Sequence, residues 1–464
     1  MLPAPSLGDT IVAVATGPVN GAVSLIRIAG PKTVSIANAI LRGQDGKIPT
    51  LEHRRTFLSE IRKEDSLLDK PLVTYFRAPA SFTGDDVLEI SCHGSPFIVR
   101  ELLALITKHG ARPAGPGEFS MRAFLNGKID LAQAEGLCAL IKADSSAAHR
   151  AALGLTEGAV SGELDAVKNS IVDVLAESQS RLDDADEEMA PADTPALCAA
   201  LQNAAQKLDA LAATYRRGRF AAEGVKIAIV GAPNSGKSSL LNALAGYNRA
   251  IVSPTAGTTR DTIEEHISIG ELSAVLTDTA GIRDHALDPA EQEGMERTRA
   301  AARKADMLIF VADASHQPDA CAETLWHEMR RLAHDADKPL FAVLNKTDVA
   351  NRWTDFDAGP CHAIAISCKT GNGLELLRKE LSLAAQAGEN AGGALLITSE
   401  RHFRHITAAS AEIRQAGKLF SDGGGLELCA VHLNAALREL GEIVGETTPD
   451  DILGVIFSKF CVGK

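Results

Sequence analysis

VKIAIVGAPNSGKSSLLNAL, residues 225–244, reads as a buried apolar strand, a glycine-rich loop and the start of a helix. In such a loop Gly231 and Gly236 let successive backbone N–H groups curl around phosphates, and Lys237 supplies a cation to the outer ones. The Ser238 hydroxyl is then available to Mg2+. An eight-residue string of this kind also occurs by chance, so the rest of the chain must decide. DTAG (278–281) closes the apolar run LSAVLT, putting Asp278 where it can hold Mg2+ through water and Gly281 beside a γ-phosphate. NKTD (345–348) closes LFAVLN, and the Asp348 carboxylate can pair with the N1–H and N2 amine of guanine, which adenine lacks. SCK (367–369) follows AIAI and would close over the base. The separations are 41 residues from Lys237 to Asp278, 67 on to Asn345 and 22 on to Ser367. Four signals in this order fit one doubly wound α/β domain that binds GTP in preference to ATP.

The expected nucleotide contacts follow from those stretches. They are Asn234, Ser235, Gly236, Lys237, Ser238 and Ser239 in the first loop, and Asp278, Thr279, Ala280 and Gly281 in the second. Asn345, Lys346, Thr347 and Asp348, then Ser367, Cys368 and Lys369, make the base pocket. Between them lies SPTAGTTRD (253–261), adding Ser253, Pro254, Thr255, Ala256, Gly257, Thr258 and Thr259, the last as second Mg2+ ligand. Ras-like enzymes carry a water-orienting Gln directly after the DxxG glycine; here the residue is Ile282, which can orient nothing. Asn234 and the 253–261 segment have carbonyls and hydroxyls enough to hold a monovalent cation where an arginine finger would otherwise act. For Asn234 and Ser253 the plainer alternative is a loop hydrogen bond alone.

Around this domain the pattern changes twice. Residues 1–120 carry short β-rich runs, TIVAVA (10–15), VSLIRI (23–28), RTFLSEI (55–61), LVTYF (72–76) and VLEIS (87–91), bounded by Gly, Pro and Asp. One clear helix runs from Pro96 to Gly110. This piece is α+β. From 121 to 217, and again from 385 to 464, apolar residues recur at three- and four-residue steps, as in Leu426, Cys429, Ala430, Leu433, Leu437, Leu440 and Val444. Two helical stretches flanking residues 218–384 predict one discontinuous helical domain interrupted by the nucleotide domain, with AGENAGGA (387–394) as the re-entry linker. The acid-rich 161–190 reads as a solvated helix end.

The full chain of 464 residues is 45% hydrophobic and 23% charged, an ordinary globular balance for several cores. Its 47 basic and 60 acidic residues give −13, which argues against a generic polyanion-coating protein; any nucleic-acid contact must be a local patch. Arg216, Arg217 and Arg219, or RHFRH (401–405), are candidates, with a solvated basic face the commoner explanation. No apolar run reaches a membrane span of roughly 18 residues, and the acidic MLPAPSLGDT start is unlike a secretory signal. Eight scattered Cys without a CxxC pair predict neither a disulfide framework nor structural zinc. A soluble, cytoplasmic protein is expected.

Several stretches together resemble the MnmE (TrmE) family of tRNA modification GTPases: PASFTGDDVLEISCHGSP (79–96), RPAGPGEFSMRAFLNGKIDLAQAEG (112–136), the glycine-rich loop, SPTAGTTRD, DTAGIR and the terminal FCVGK (460–464). The resemblance spans all three pieces. It implies an α+β N-terminal domain that binds folate and dimerises, a discontinuous helical domain and an inserted Ras-like P-loop G domain. It also implies a potassium-activated GTPase that works with an FAD-dependent MnmG-type partner. The pair would install an aminomethyl or carboxymethylaminomethyl group at C5 of the tRNA wobble uridine, using a tetrahydrofolate one-carbon unit. Residue by residue, it implies Arg27, Glu89, Lys128 and Lys464 for a 5-formyl-tetrahydrofolate-type ligand. A folate has a glutamate tail for cations and a pterin for a carboxylate, although Arg27 and Glu89 also suit a structural ion pair and Lys128 a solvated helix face. It implies Asn234, Ser253, Thr255 and Thr258 for potassium, Ser238 and Thr259 for Mg2+, and Glu291 as organiser of the attacking water, with Asp284 and Glu293 as alternatives. Cys461 is the candidate thiol brought to the folate and the RNA base, against a buried structural role or, less suited to its Val-Gly-Lys ending, prenylation. Neighbouring Lys459 and Lys464 would favour its thiolate if close. One departure is GPVNGAVS (17–24), where the family commonly shows Gly-Arg-Gly and this chain has no Arg. The alternatives in other classes are an RNA-binding ribosome-assembly GTPase, though neither a KH-type GXXG module nor a second NKxD is present, and a folate-dependent aminomethyltransferase with a regulatory G domain.

Overall fold

The structure is a computed structural model. It describes residues 8–17, 21–64, 66–183, 194–247, 263–278, 298–353, 358, 361–386, 395–422 and 426–463. The chain divides into two compact units. One comprises 1–138, 155–192 and 418–464; the other comprises 139–154 and 193–417.

The first unit is built on a six-stranded sheet. Its strands are β1 (Thr10–Val14), β2 (Val23–Ala29), β4 (Thr56–Leu58), β7 (Leu72–Phe76), β8 (Val87–His93) and β9 (Ala111–Pro113), ordered β4-β7-β8-β2-β1-β9. A small second sheet pairs β3 (Leu41–Arg42), β5 (Glu60–Lys63) and β6 (Ser66–Asp69). Strand alternation sends Ile26, Ile28, Val73, Tyr75, Leu88 and Ile90 to one face, where Ile36, Ile40, Leu102 and Ile106 of helices Thr33–Ile40 and Pro96–Lys108 cover them. The other face carries Ile11, Ala13, Ala29 and Val87 under Phe119, and beside them the paired Arg27 and Glu89. Two expectations need correcting. RTFLSEI is not one strand: buried Ser59 takes its N–H to Pro71 O at 3.0 Å and its hydroxyl to Arg42 O at 2.9 Å, so the chain passes from β4 in one sheet to β5 in the other. The piece also holds a second helix, Thr33–Ile40, whose β-branched residues hide a buried stripe of Thr33, Ile36, Ala37 and Ile40.

Helices Ala159–Asp183, Leu426–Val444 and Asp450–Ser458 complete this unit, the stripe read from 426 to 444 being buried at Cys429, Leu433, Leu440 and Val444. The 387–394 linker lies outside the described residues.

The second unit holds the other sheet: β10 (Val225–Val230), β11 (Ile263–Ile269), β12 (Leu272–Asp278), β13 (Met307–Asp313), β14 (Leu340–Asn345) and β15 (His362–Ala365), ordered β11-β12-β10-β13-β14-β15. All neighbours are parallel except β11 with β12. Strands β13 and β14 are buried along nearly their whole length, as an apolar run enclosed by helices on both faces demands. The order changes direction beside β10, and such a switch point opens a crevice at the carboxyl ends of the strands. Helices Thr194–Ala213 and Tyr215–Glu223 belong to this unit too, as does helix Glu400–Ser421 up to residue 417.

Candidate active site

Residues 231–236 leave the carboxyl end of β10 and feed helix Lys237–Tyr247. A Cβ on Gly231 would stand 2.2 Å from Val311 O, and one on Gly236, at φ +97°, would stand 2.2 Å from Asn345 Nδ2. Only glycine fits either place. Asn234 turns the loop at φ +60° with its side chain exposed, and Lys237, mostly buried, donates to Gly231 O at 3.0 Å and Ala232 O at 2.9 Å. Its ammonium thus lies across the mouth of the loop, where phosphate oxygens can replace those carbonyls. Ser238 and Ser239 are exposed in the first helical turn, and Ser235 is buried.

The base-side stretches meet this loop. Asn345 ends β14, is 2% exposed, and donates its amide to Ser235 O at 3.1 Å while accepting from Cys368 N–H at 3.2 Å. Ser367 donates its hydroxyl to Asp348 at 2.7 Å, and Thr347 binds Ile366 O through its N–H and its hydroxyl. The Asp348 carboxylate is therefore fixed at the loop that follows β15. Burial pushes the Cys368 thiol up to about 11, so this residue serves the pocket with its N–H rather than as a nucleophile. Lys369 is exposed. Asp313 was not anticipated. Lys346 donates to Asn234 O at 2.9 Å and to Asp313 at 2.7 Å. Burial works to raise the Asp313 carboxyl, but Lys346 and the two Ser315 donors hold it down to about 2. The signal was the run MLIFVAD ending in an acid level with Asn345 on the next strand.

Asp278 is the last residue of β12, level with Ile229 of β10. Ser253, Pro254, Thr255, Ala256, Gly257, Thr258, Thr259, Thr279, Ala280, Gly281, Ile282, Asp284, Glu291 and Glu293 lie outside the described residues, as does the Asp278 side chain.

A second cluster lies on the open face of the N-terminal sheet. Arg27 and Glu89 do form an ion pair, Nε and Nη2 donating to one carboxylate oxygen at 3.0 and 2.8 Å. The guanidinium also sits 5.7 and 5.8 Å from the ring centroids of Phe82 and Phe119 and donates to Gly463 O at 3.4 Å. Residues 27 and 463 meet because the C-terminal tail docks here: Val462 bridges to Pro116, and Gly117 N–H donates to Cys461 O at 3.2 Å. At φ +64°, Gly117 leaves room for Phe457 O, which a Cβ would approach to 2.5 Å. The 112–122 segment is braced by charge. Arg112 donates to Glu118 at 2.6 and 2.9 Å, and although burial raises that carboxyl, Arg112 and the Gly115 N–H leave it below its usual range. Cys461 is exposed, not buried. Lys128 is not on a helix face but in the bend after helix Glu118–Leu125, donating to Pro79 O at 2.9 Å in the segment that carries Phe82. Lys464 lies outside the described residues. The aromatic lining of Phe82 and Phe119 carried no periodic signal in the sequence.

Residues 131–461 match the family described as the MnmE helical domain, and residues 10–128 match the GTP-binding protein TrmE N-terminus. The chain is 41% identical over 461 residues to the tRNA modification GTPase MnmE of Akkermansia muciniphila, covering 98% of this chain and 99% of that one. The chain belongs to the MnmE family. It is likewise 39% identical to the MnmE of Proteus mirabilis (98% of this chain, 99% of that one) and 36% identical to that of Thermus thermophilus (99% and 100%). As an MnmE-family member it is a GTP hydrolase acting in tRNA modification, with three kinds of domain: TrmE-type N-terminal, helical, and Ras-like P-loop. None of its described helices is long and apolar enough to cross a membrane.

Proposed function

We propose that this MnmE-family chain is a potassium-activated GTPase that, as a cytoplasmic homodimer joined to an FAD-dependent MnmG-type protein, modifies C5 of the tRNA wobble uridine with a folate-borne one-carbon unit. The observation that supports it most is the meeting of Arg27 with Gly463, 436 residues apart, on a face with two aromatic rings and a carboxylate. A half-buried cation between rings suits a flat, anionic-tailed pterin ligand, and Glu89 can turn from Arg27 to the pterin donors. The docked tail carries exposed Cys461, and Lys464 would add a cation for the folate tail. Lys128 is tied to the neighbouring 79–82 segment. Bound there, methylene-tetrahydrofolate would supply the carbon, and 5-formyl-tetrahydrofolate would occupy the same face as a ligand.

On the nucleotide side, Gly231 and Gly236 shape the phosphate loop, Lys237 takes the outer phosphates and Asp348 takes guanine. Ser238 with Thr259 suits Mg2+, which would neutralise charge between the outer phosphates. Asn234, with Ser253, Thr255 and Thr258, suits potassium. That ion would supply the positive charge an arginine finger provides elsewhere. Glu291 would hold the attacking water, since Ile282 cannot. What supports this is Asn234, which is exposed in the phosphate loop with its backbone carbonyl held by Lys346, so that its side chain would be available to an ion. GTP turnover in matched potassium and sodium chlorides tests the cation, with a large potassium preference expected, on the scale of the roughly 10³-fold or more that an arginine finger supplies. Equal rates would overturn it. Mass spectrometry of tRNA nucleosides from cells lacking the protein tests the modification, and an unchanged wobble uridine would overturn that.

A further inference from the structure

The tRNA reading leaves open where the RNA backbone lies, and the second unit carries a surface that answers it. Two basic runs far apart in sequence, YRRGR (215–219) and ERHFRH (400–405), open two different helices. The fold brings them side by side. Tyr215 and Phe403 stack with centroids 4.6 Å apart and planes 15° from parallel. Thr214 accepts the Ile397 N–H at 3.0 Å, and Gly218 lies so close to Ile397 that a Cβ would stand 2.2 Å from its carbonyl. These contacts fix one helix start against the other, so the arginines between and around the rings share a single surface. Arg216 and Arg404 are exposed, and Arg217 and Arg401 are partly exposed. The Arg216 guanidinium sits 5.7 Å from the centroid of Phe220, which props it outward.

Asp306 is taken by Arg219 and by the Lys226 N–H at 3.0 Å. Glu223 stands at the far end of its helix, and Glu400 borders Tyr215. On a chain with net charge −13, a concentration of arginine held by a rigid aromatic staple is out of keeping with the surrounding surface. Guanidinium groups fit phosphate in a bidentate way, and fixed side chains lose less entropy on binding it.

We infer that Arg216 and Arg404, the exposed arginines of the two runs, form a docking surface for the phosphodiester backbone of the tRNA substrate. The surface rests on the tRNA reading and places the RNA on the unit that also holds the nucleotide site. It orients RNA without reading sequence, as phosphate contacts do.

The test is binding of fluorescein-labelled tRNA to the full-length protein with GDP, at fixed potassium and rising sodium chloride. The double variant Arg216→Gln/Arg404→Gln should bind roughly tenfold more weakly. It should also flatten the slope of log affinity against log salt by about 1.4 to 1.8, two lost contacts at ~0.7–0.9 each. Arg216→Lys/Arg404→Lys should restore most of the slope, and GTP turnover without RNA should not change in either. If the parent protein binds tRNA and the Gln variant binds it with the same affinity and slope, the surface is refuted while the tRNA reading stands. Should that same variant lose the FAD-dependent partner in co-sedimentation instead, the surface is a protein interface and the inference is wrong. If the parent does not bind tRNA at all, the tRNA reading falls and takes the surface with it.

Discussion

Gly236→Ala is the most stringent probe of the nucleotide site, because one methyl group there confronts the phosphate loop and the base loop together. The backbone sits at φ +97°, and the new Cβ would overlap Asn345 Nδ2 at 2.2 Å. A side chain at positive φ costs about 1 kcal/mol. Asn345 is buried and cannot lean away freely, since its amide serves Ser235 O and its oxygen serves Cys368 N–H. Either the overlap stays, at about 1–3 kcal/mol for an overpacked site, or Asn345 swings out and leaves both partners unmet, at about 1–3 kcal/mol. The total is roughly 2–4 kcal/mol, or about 30- to 1,000-fold in an equilibrium constant. Part will appear as weaker nucleotide binding and part as lower stability, so fluorescent-GTP titration and urea unfolding are read together. Gly246→Ala is the control, since none of the described residues lies within 4 Å of a Cβ there and the position is helical. It should be neutral or stabilising by up to about 1 kcal/mol. A Gly236→Ala protein with GTP affinity within threefold of the parent and an unshifted urea midpoint would refute the coupling of the two loops.

Asp348→Asn, which keeps the Ser367 contact but loses the carboxylate, should move preference from guanosine to xanthosine triphosphate, measured by competition for the site; a retained strong GTP preference would place the base elsewhere. Arg27→Ala and deletion of Lys464 should each weaken 5-formyl-tetrahydrofolate binding in calorimetry at least tenfold while leaving GTP affinity alone, and unchanged affinity in both would assign the folate to another surface. Asp313 is held at about 2, below its ordinary 3.8, so the stability it gives is fully present above pH ~4 and is lost as pH falls toward 2. Asp313→Asn should therefore lower the urea midpoint at pH 7 and flatten the acid dependence below pH 4, and a parallel acid profile in parent and variant would contradict the pairing with Lys346.

The nucleotide domain was legible because each of its signals is local. A strand, a loop that tolerates only Gly and a helix follow one another at 225–244, and NKTD and SCK each close an apolar strand. What escaped was chemistry that exists only across strands. Asp313 reads as any acid after a strand until β13 and β14 align it with Asn345 and bring Lys346 over it. In the N-terminal piece the strands were visible from alternation, but the break at Ser59 was not, since it follows from hydrogen bonds to Pro71 and Arg42 rather than from any breaker residue. Phe82 and Phe119 fared likewise. They flank Arg27 from segments 37 residues apart, and only packing makes them one wall.

The base loop and the phosphate loop are joined by adjacent residues that do different work. Asn345 pins the Ser235 carbonyl, and Lys346, itself at φ +65°, pins the Asn234 carbonyl while anchored on Asp313. Two consecutive carbonyls of the phosphate loop are thereby turned toward the base side. Behind the Asn234 carbonyl, the Ser235 N–H donates to Ala232 O at 3.3 Å and closes the loop on itself. On the potassium proposal, the two bonds from Asn345 and Lys346 would set the backbone of Asn234 before an ion arrived, so the cost of arranging that ligand would be met in folding rather than in binding. Because Asp313 stays ionised through the physiological range, the Lys346 ammonium remains tethered between it and the Asn234 carbonyl. On the proposed assignments, guanine recognition by Asp348 and cation binding at Asn234 would both depend on the stretch 345–348, and a nucleotide that disturbs the first should disturb the second.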